Sequence, residues 1–321
     1  MRKGKQSRFW YTITRIAAGF VSRFIFKRRF LRNEIKGKKG PFVIIANHQA
    51  SLDFVNLMGA SKYMMTFVVS NSFYNTLPVK GVMKKIGVIP KQQFQTALTD
   101  LKRMKQAIAD NKILVIYPTG LMCEDGISTP IPNGTYKFLK WIGADIYMAK
   151  TIGTYFSMPK WTKGMRRGRT YLDIYKLFSK EEIKDMDISD IKARADEALS
   201  FDAYREQEKY LVKYKNNSNI EGLENVLYMC PHCHSEFSVH VRDRSIIYCD
   251  KCGYEQECDE YGFLHNRLGI GEEIRYVSDW SRQIYNELKA RIESGKEEEL
   301  FSDTEIHKID FEKKKYVLAG E

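Results

Sequence analysis

The chain has no uninterrupted apolar stretch followed by a small-residue cleavage site, so its basic start does not read as a secretory signal peptide. Acidic residues are almost missing from the first forty positions, where Glu34 stands alone against thirteen Lys and Arg. The remainder of the 321 residues then holds 39 bases and 39 acids, so the formal net charge of +12 is a basic arm on a neutral body. That distribution disfavours nucleic acid, the partner such a charge would first suggest. Cysteine is scarce and clustered: four of the six form two Cys-x-x-Cys pairs. This excludes a disulfide framework spread over a secreted domain and points to metal ligands in a reducing compartment. An internal repeat of catalytic-domain scale and long low-complexity segments are also lacking. With 43% hydrophobic and 29% charged residues, the chain reads as globular and long enough for a catalytic core plus a smaller module.

What the arm does contain is an aromatic, apolar helical pattern. Phe9, Trp10, Ile13, Ile16, Ala17, Phe20, Val21, Phe24 and Ile25 fall on one side, and Thr12, Arg15, Gly19, Ser22 and Arg23 on the other. A helix spanning a bilayer would place Arg15 near mid-membrane at a cost of roughly 2.5–3.5 kcal/mol. A helix lying in the interface avoids that cost and lets Lys27, Arg28 and Arg29 meet anionic headgroups. Residues 1–36 are therefore expected to be a basic amphipathic membrane-docking arm. An ordinary helix packed on the body and a mitochondrial transit peptide are the alternatives.

From Pro41 onward strands and helices alternate. Strands are predicted at Phe42–Ala46, Met65–Val69, Val88–Pro90, Ile113–Tyr117 and Asp145–Ala149, with Tyr171–Phe178 at the sheet edge. Helices are predicted to begin near Ser51 and to cover Thr96–Asp110 and Tyr136–Ile142. The order implies an α/β fold, a sheet covered by helices on both faces. Ser179 and Glu182 have capping-box spacing and open a helical region reaching about Lys215. Asn216–Asn219 reads as a linker.

The run Asn47-His48-Gln49-Ala50-Ser51-Leu52-Asp53 follows a buried strand. Histidine suits the removal of a hydroxyl proton near neutrality, and a carboxylate on its other ring nitrogen fixes the tautomer. On one continuous helix His48 and Asp53 would lie about 140° apart. Pairing thus needs His48 in the turn before the helix and Asp53 in its first turns, with Ser51 as a cap. The spacing by itself also fits a plain structural turn.

This run, the arm before it and three later segments resemble the 1-acylglycerol-3-phosphate acyltransferase family over roughly residues 10–215. Gly87-Val88-Ile89-Pro90-Lys91 resembles the family's second block. Tyr117-Pro118-Thr119-Gly120 resembles its third, normally Phe-Pro-Glu-Gly followed by Arg, and Ile146–Ala149 lies where the fourth begins. The resemblance implies an acyltransferase-type sheet over residues 37–215, with His48 as general base and Asp53 as its orienting partner. It also implies substrate contacts at Asn47, Lys91, Thr119 and Gly120. The donor would be an acyl thioester on coenzyme A or acyl carrier protein, the acceptor a lysophosphatidate-like or other glycerolipid hydroxyl, and no metal would enter the chemistry. Such an enzyme would work at the cytoplasmic face of a membrane with anionic lipids. Thr119 stands where the family has Glu, and Leu121-Met122 where Thr-Arg would follow. Either the acceptor is not a glycerol phosphate, or Lys150, Arg166 or Arg167 supplies the lost contacts. A catalytically silent domain that recruits partners is the alternative reading.

Cys230-Pro-His-Cys233 and Cys249-Asp-Lys-Cys252 are fifteen residues apart, within the range of a structural zinc ribbon with four thiolate ligands. Strand-like runs (Val226–Met229 and Ser245–Tyr248) precede each pair. Cys258, His232 and His234 are expected not to be ligands, and Cys123 to be partly buried. The ribbon, 226–264, carries acids among its bases and so points to a protein partner or a stabilising role rather than to nucleic acid. Residues 265–321 are expected to hold a helix and strands of unknown role.

Overall fold

The structure, a computed structural model, describes residues 6–75, 80–93, 97–295, 306–310 and 315–320. Arg2, Lys3 and Lys5 of the basic arm, Thr96, and 296–305, 311–314 and 321 of the C-terminal segment lie outside the described residues.

The arm forms α1 (Arg8–Phe24), capped by the Ser7 hydroxyl, which accepts from the Trp10 amide. Then β1 (Arg29–Asn33), β2 (Phe42–Ala46), α2 (Asp53–Met58), β3 (Met65–Ser70), α3 (Asn71–Asn75), α4 (Lys80–Ile86) and β4 (Ile89–Lys91) follow. Next come α5 (Leu98–Ala109), β5 (Ile113–Ile116), α6 (Gly134–Ile142), β6 (Ile146–Ile152), α7 (Thr154–Ser157) and β7 (Tyr171–Phe178). These strands form one seven-stranded sheet in the order β1-β7-β6-β2-β5-β3-β4. From β6 to β4 the strands run parallel, and β7 and β1 run the other way.

Central β2 explains why the sequence reads as it does. All five of its residues are buried. Phe42, Ile44 and Ala46 join a core on one face with Val55, Leu57 and α1's Tyr11, while Val43 and Ile45 join a core on the other with α5's Met104 and α6's Leu139. A strand covered on both faces needs a continuous apolar run, not alternation.

One expectation about the sheet is corrected. Tyr171–Phe178 is one strand in from the edge, because β1, within the basic arm, pairs outside it. Nearly every β1 side chain is exposed, so no apolar alternation announced the strand; backbone pairing and the two-pronged Arg32–Asp173 contact at 2.7 Å hold it. The arm's helix is also fastened to the body. Ser22 donates to the side-chain oxygen of Asn56 in α2 at 3.0 Å, and the Tyr11 hydroxyl accepts from the Met65 amide at 3.0 Å. Its other side is bare: Phe9, Ile13, Ile16, Phe20 and Phe24, at helical spacing, are all exposed.

The capping box at Ser179 and Glu182 is present at the head of α8 (Lys180–Asp185), followed by α9 (Ile188–Leu199) and α10 (Ala203–Tyr210). Asn216–Asn219 folds back on the body: Asn217 is buried and receives the Arg166 guanidinium. Beyond it β8 (Val239–Arg242), β9 (Ile246–Cys249), β10 (Glu255–Cys258) and β11 (Leu264–Asn266) make an antiparallel sheet beside α11 (Val277–Glu293). Val226–Met229 is not a strand; it contributes one bridge, Met229 to Glu236. The backbone of β12 (Ile306–Asp310) and β13 (Lys315–Gly320) forms a hairpin.

Candidate active site and cysteine cluster

The parallel strands deliver the candidate residues to one edge of the sheet, where their C-terminal ends meet; open α/β sheets place ligands at that edge. Asn47 and His48 follow β2, Tyr117 follows β5, Lys91 ends β4 and Thr151 lies near the end of β6.

His48 sits in the turn and Asp53 is the first residue of α2, the arrangement the spacing requires. His48 Nδ1 lies 3.0 Å from Asp53 Oδ2. The same oxygen accepts from the Gln49 and Ala50 amides at 2.7 and 2.9 Å, so the carboxylate organises the turn as well as the imidazole. With Nδ1–H facing a fully buried carboxylate, Nε2 is the nitrogen left to act as an acceptor on a side chain still 20% exposed. Ser51 does not cap the helix. Leu52 occupies the cap position, and the Ser51 hydroxyl lies against the Met158 sulfur at 3.4 Å.

Asn47, expected as a substrate contact, has both ends of its amide engaged. Nδ2 donates to the Thr151 carbonyl at 2.8 Å and Oδ1 accepts from the Thr151 amide at 2.7 Å. At 2% exposure it is a tie between the ends of β2 and β6 rather than a surface for ligand. Lys91 is placed at the right edge, and its ammonium donates to the Gln92 carbonyl at 3.1 Å. Gln93 then reaches the Gly120 carbonyl at 2.9 Å, joining the loop after β4 to the loop after β5. The Thr119 hydroxyl donates to the Leu121 carbonyl at 2.9 Å, shaping a turn in which exposed Gly120 takes φ +67°, a conformation that suits glycine.

Of the substitutes considered for lost phosphate contacts, Lys150 is paired with Glu206 at 2.9 Å. Arg166 is buried and directed at Asn217 and Asn219. Arg167 is exposed.

Two neighbours of the histidine carry no signal in the sequence beyond their place in the third block. The Tyr117 ring lies 4.5 Å from the imidazole, centroid to centroid, at 33°. Burial, and next the negative charge of Asp53, hold its hydroxyl well above the ordinary tyrosine pKa, so it stays neutral. Cys123 is fully buried rather than partly so, with its amide donating to the His48 carbonyl at 3.2 Å.

The four thiols of Cys230, Cys233, Cys249 and Cys252 lie within 4.8 Å of one another. Cys230 and Cys252 sulfurs are 3.6 Å apart, and those of Cys233 and Cys249 3.7 Å. Metal–sulfur bonds of about 2.3 Å in a tetrahedron separate sulfurs by about 3.8 Å, so the donor set fits a four-thiolate metal centre. His232, His234 and Cys258 are not in that group; His234 faces Glu287 and the buried Cys258 thiol faces the Asn217 carbonyl.

Among the described residues no helix is long and apolar enough to cross a membrane. A comparison of folds finds similarity to the crystal structure of the 1-acyl-sn-glycerophosphate (LPA) acyltransferase PlsC from Thermotoga maritima. It has 14% identity and a TM-score of 0.49, and covers 60% of this chain and 76% of that one. Residues 27–156, from just before β1 to the middle of α7 and including the His48–Asp53 pair, match the family model Acyltransferase.

Proposed function

We propose that the chain transfers a fatty acyl group from a thioester, on coenzyme A or acyl carrier protein, to a hydroxyl of a glycerolipid acceptor. The observation that carries this reading is the His48–Asp53 contact, 3.0 Å long and anchored by two further amides, at the C-terminal end of the central strand.

His48 Nε2 removes the acceptor hydroxyl proton as the oxygen attacks the thioester carbonyl, and returns it to the departing thiolate. Asp53 holds the tautomer and stabilises the imidazolium between the two steps. Tyr117 fixes the plane of the ring. Lys91 and the turn at Thr119 and Gly120 border the acceptor, with Lys91 meeting an anionic headgroup. Asn47 acts through Thr151, as a positioning residue rather than a contact.

The substrates are amphiphiles, and the exposed stripe of α1 supports docking at a lipid surface. Its apolar row is accompanied by exposed Arg8, Arg23, Lys27 and Arg29, a pattern suited to an anionic interface. The same reading places the protein on the cytoplasmic face as a peripheral protein. The cysteine cluster takes zinc as a structural ion, and its ribbon supports the body and offers a surface to a protein partner.

A silent domain is the second reading, favoured by the third block alone: Thr119, in place of a carboxylate, spends its hydroxyl on Leu121. Acyl transfer from a thioester that is lost in His48→Ala separates the two.

A further inference from the structure

The loop after β5 carries the weakened third block, yet residue after residue of its second half is tied to α7 or to elements beyond the matched acyltransferase span. The Tyr155 hydroxyl donates to the Glu124 carbonyl, the Ala203 amide to the Gly126 carbonyl at 2.8 Å, and the Ser128 amide to the Phe201 carbonyl at 3.1 Å. Gly126 has φ +89°, and a Cβ there would meet the Tyr204 ring at 3.0 Å. Asp125 Oδ2 accepts from the hydroxyl of Ser281, 156 residues later in α11, at 2.7 Å.

The adjacent residue of α11 leads to the cysteine cluster. The buried Trp280 indole donates to the carbonyl of Met229 at 2.8 Å, next to Cys230. The ring also packs edge-on against Tyr254, whose carbonyl accepts from the Cys249 amide at 2.8 Å. At the other end of the loop, Cys123 donates to the His48 carbonyl. Cys123, Tyr155, Tyr204, Cys230, Cys249 and Trp280 share one hydrophobic core.

We propose that Asp125 and Ser281 are positioning residues for the transfer reaction, through which the metal-bound cysteine module holds the active-site loop against the His48 turn. The inference rests on the acyl-transfer reading for its catalytic half. The mechanical half stands apart: the module folds around its metal, α11 is seated by Trp280, and Ser281 then fixes Asp125. The third block, lacking its family's carboxylate and guanidinium, takes its order from this clamp.

Cys123, 1% exposed at the loop's base, reports whether the clamp is closed. The test uses the full chain loaded with zinc and site-resolved alkylation of Cys123 read by mass spectrometry. Ser281→Ala should alkylate Cys123 about tenfold faster, the effect of one lost partly buried hydrogen bond on a local opening, with zinc still bound. It should also lower kcat with little change in the KM for thioester, and Ser281→Thr should restore both. Removing zinc from the unaltered chain with a chelator should expose Cys123 to at least the same degree while the far-ultraviolet helical signal persists. Unchanged Cys123 protection in either the variant or the chelated chain overturns the clamp, and an opened loop with full kcat overturns its positioning role. A wild-type chain without acyl transfer removes the functional reading instead, and the alkylation arms still decide the mechanical one.

Discussion

Asn47 and Thr151 exchange a pair of hydrogen bonds, 2.8 and 2.7 Å long, in which an asparagine amide continues the backbone ladder between β2 and β6 past its last strand residue. This pins the residue before the catalytic candidate to the neighbouring strand. Asn47→Ala removes both partners from buried backbone groups, so a loss of roughly 2–4 kcal/mol in unfolding free energy is expected. Urea unfolding checks it, and a loss under about 0.5 kcal/mol would show that Thr151 does not depend on this side chain.

The Asp53 carboxylate serves three donors through one oxygen. Asp53→Asn keeps the shape and can turn its amide oxygen to the same three donors, but it removes the negative charge that stabilises the imidazolium. Turnover should fall by about 10³–10⁴, as losing an orienting carboxylate does in other histidine-dependent acyl transfers. Steady-state kinetics on the folded variant gives the answer, and a drop under tenfold would place Asp53 in the turn's architecture alone.

The cysteine cluster should bind one zinc per chain. Elemental analysis of Cys252→Ser should show the metal lost, with marked loss of thermal stability, because closed thiolate sites contribute directly to folding. Cys258→Ala, which removes a buried thiol outside the cluster, should retain full metal content; zinc lost there as well would mean the ligand set is wrong.

How much of this was visible in the sequence follows from burial. β2 is legible because a doubly covered strand is a continuous apolar run, and Tyr171–Phe178 because its buried Leu172 and Ile174 alternate with partly exposed residues. The His48–Asp53 contact is legible through the resemblance of its block, since the five-residue spacing only requires a turn between the two residues and fits a plain structural turn as well. Strand β1 is not, since Arg29–Asn33 is exposed and held by backbone bonds and Arg32. Helix α4 escapes for a related reason: Lys80–Ile86 is short and buries only Met83 and Ile86. At Asn47 the resemblance implies a contact, and its actual partner, Thr151, lies 104 residues away and leaves no local sign. The Asp125–Ser281 link, spanning 156 residues, leaves no local trace at all.

The apolar row of α1 points away from the body, with Ile16 and Phe20 each more than 60% exposed. Ile16→Glu with Phe20→Glu should abolish sedimentation with vesicles containing anionic lipid, while the fold is kept because neither side chain is buried. For the unaltered chain, binding should weaken as salt rises, since the flanking Arg and Lys act through screened charge. Undiminished vesicle binding by the double variant would assign docking to another surface.

The central claim is that His48 performs acyl transfer, and its most direct measurement is turnover of an acyl thioester with a glycerolipid acceptor by the wild-type chain and by His48→Ala. The variant should retain the wild-type circular dichroism and melting behaviour, because His48 is partly exposed and packs chiefly on Tyr117. Its turnover should fall by about 10²–10⁴, the contribution of a positioned general base. Equal turnover by the two proteins would contradict the account.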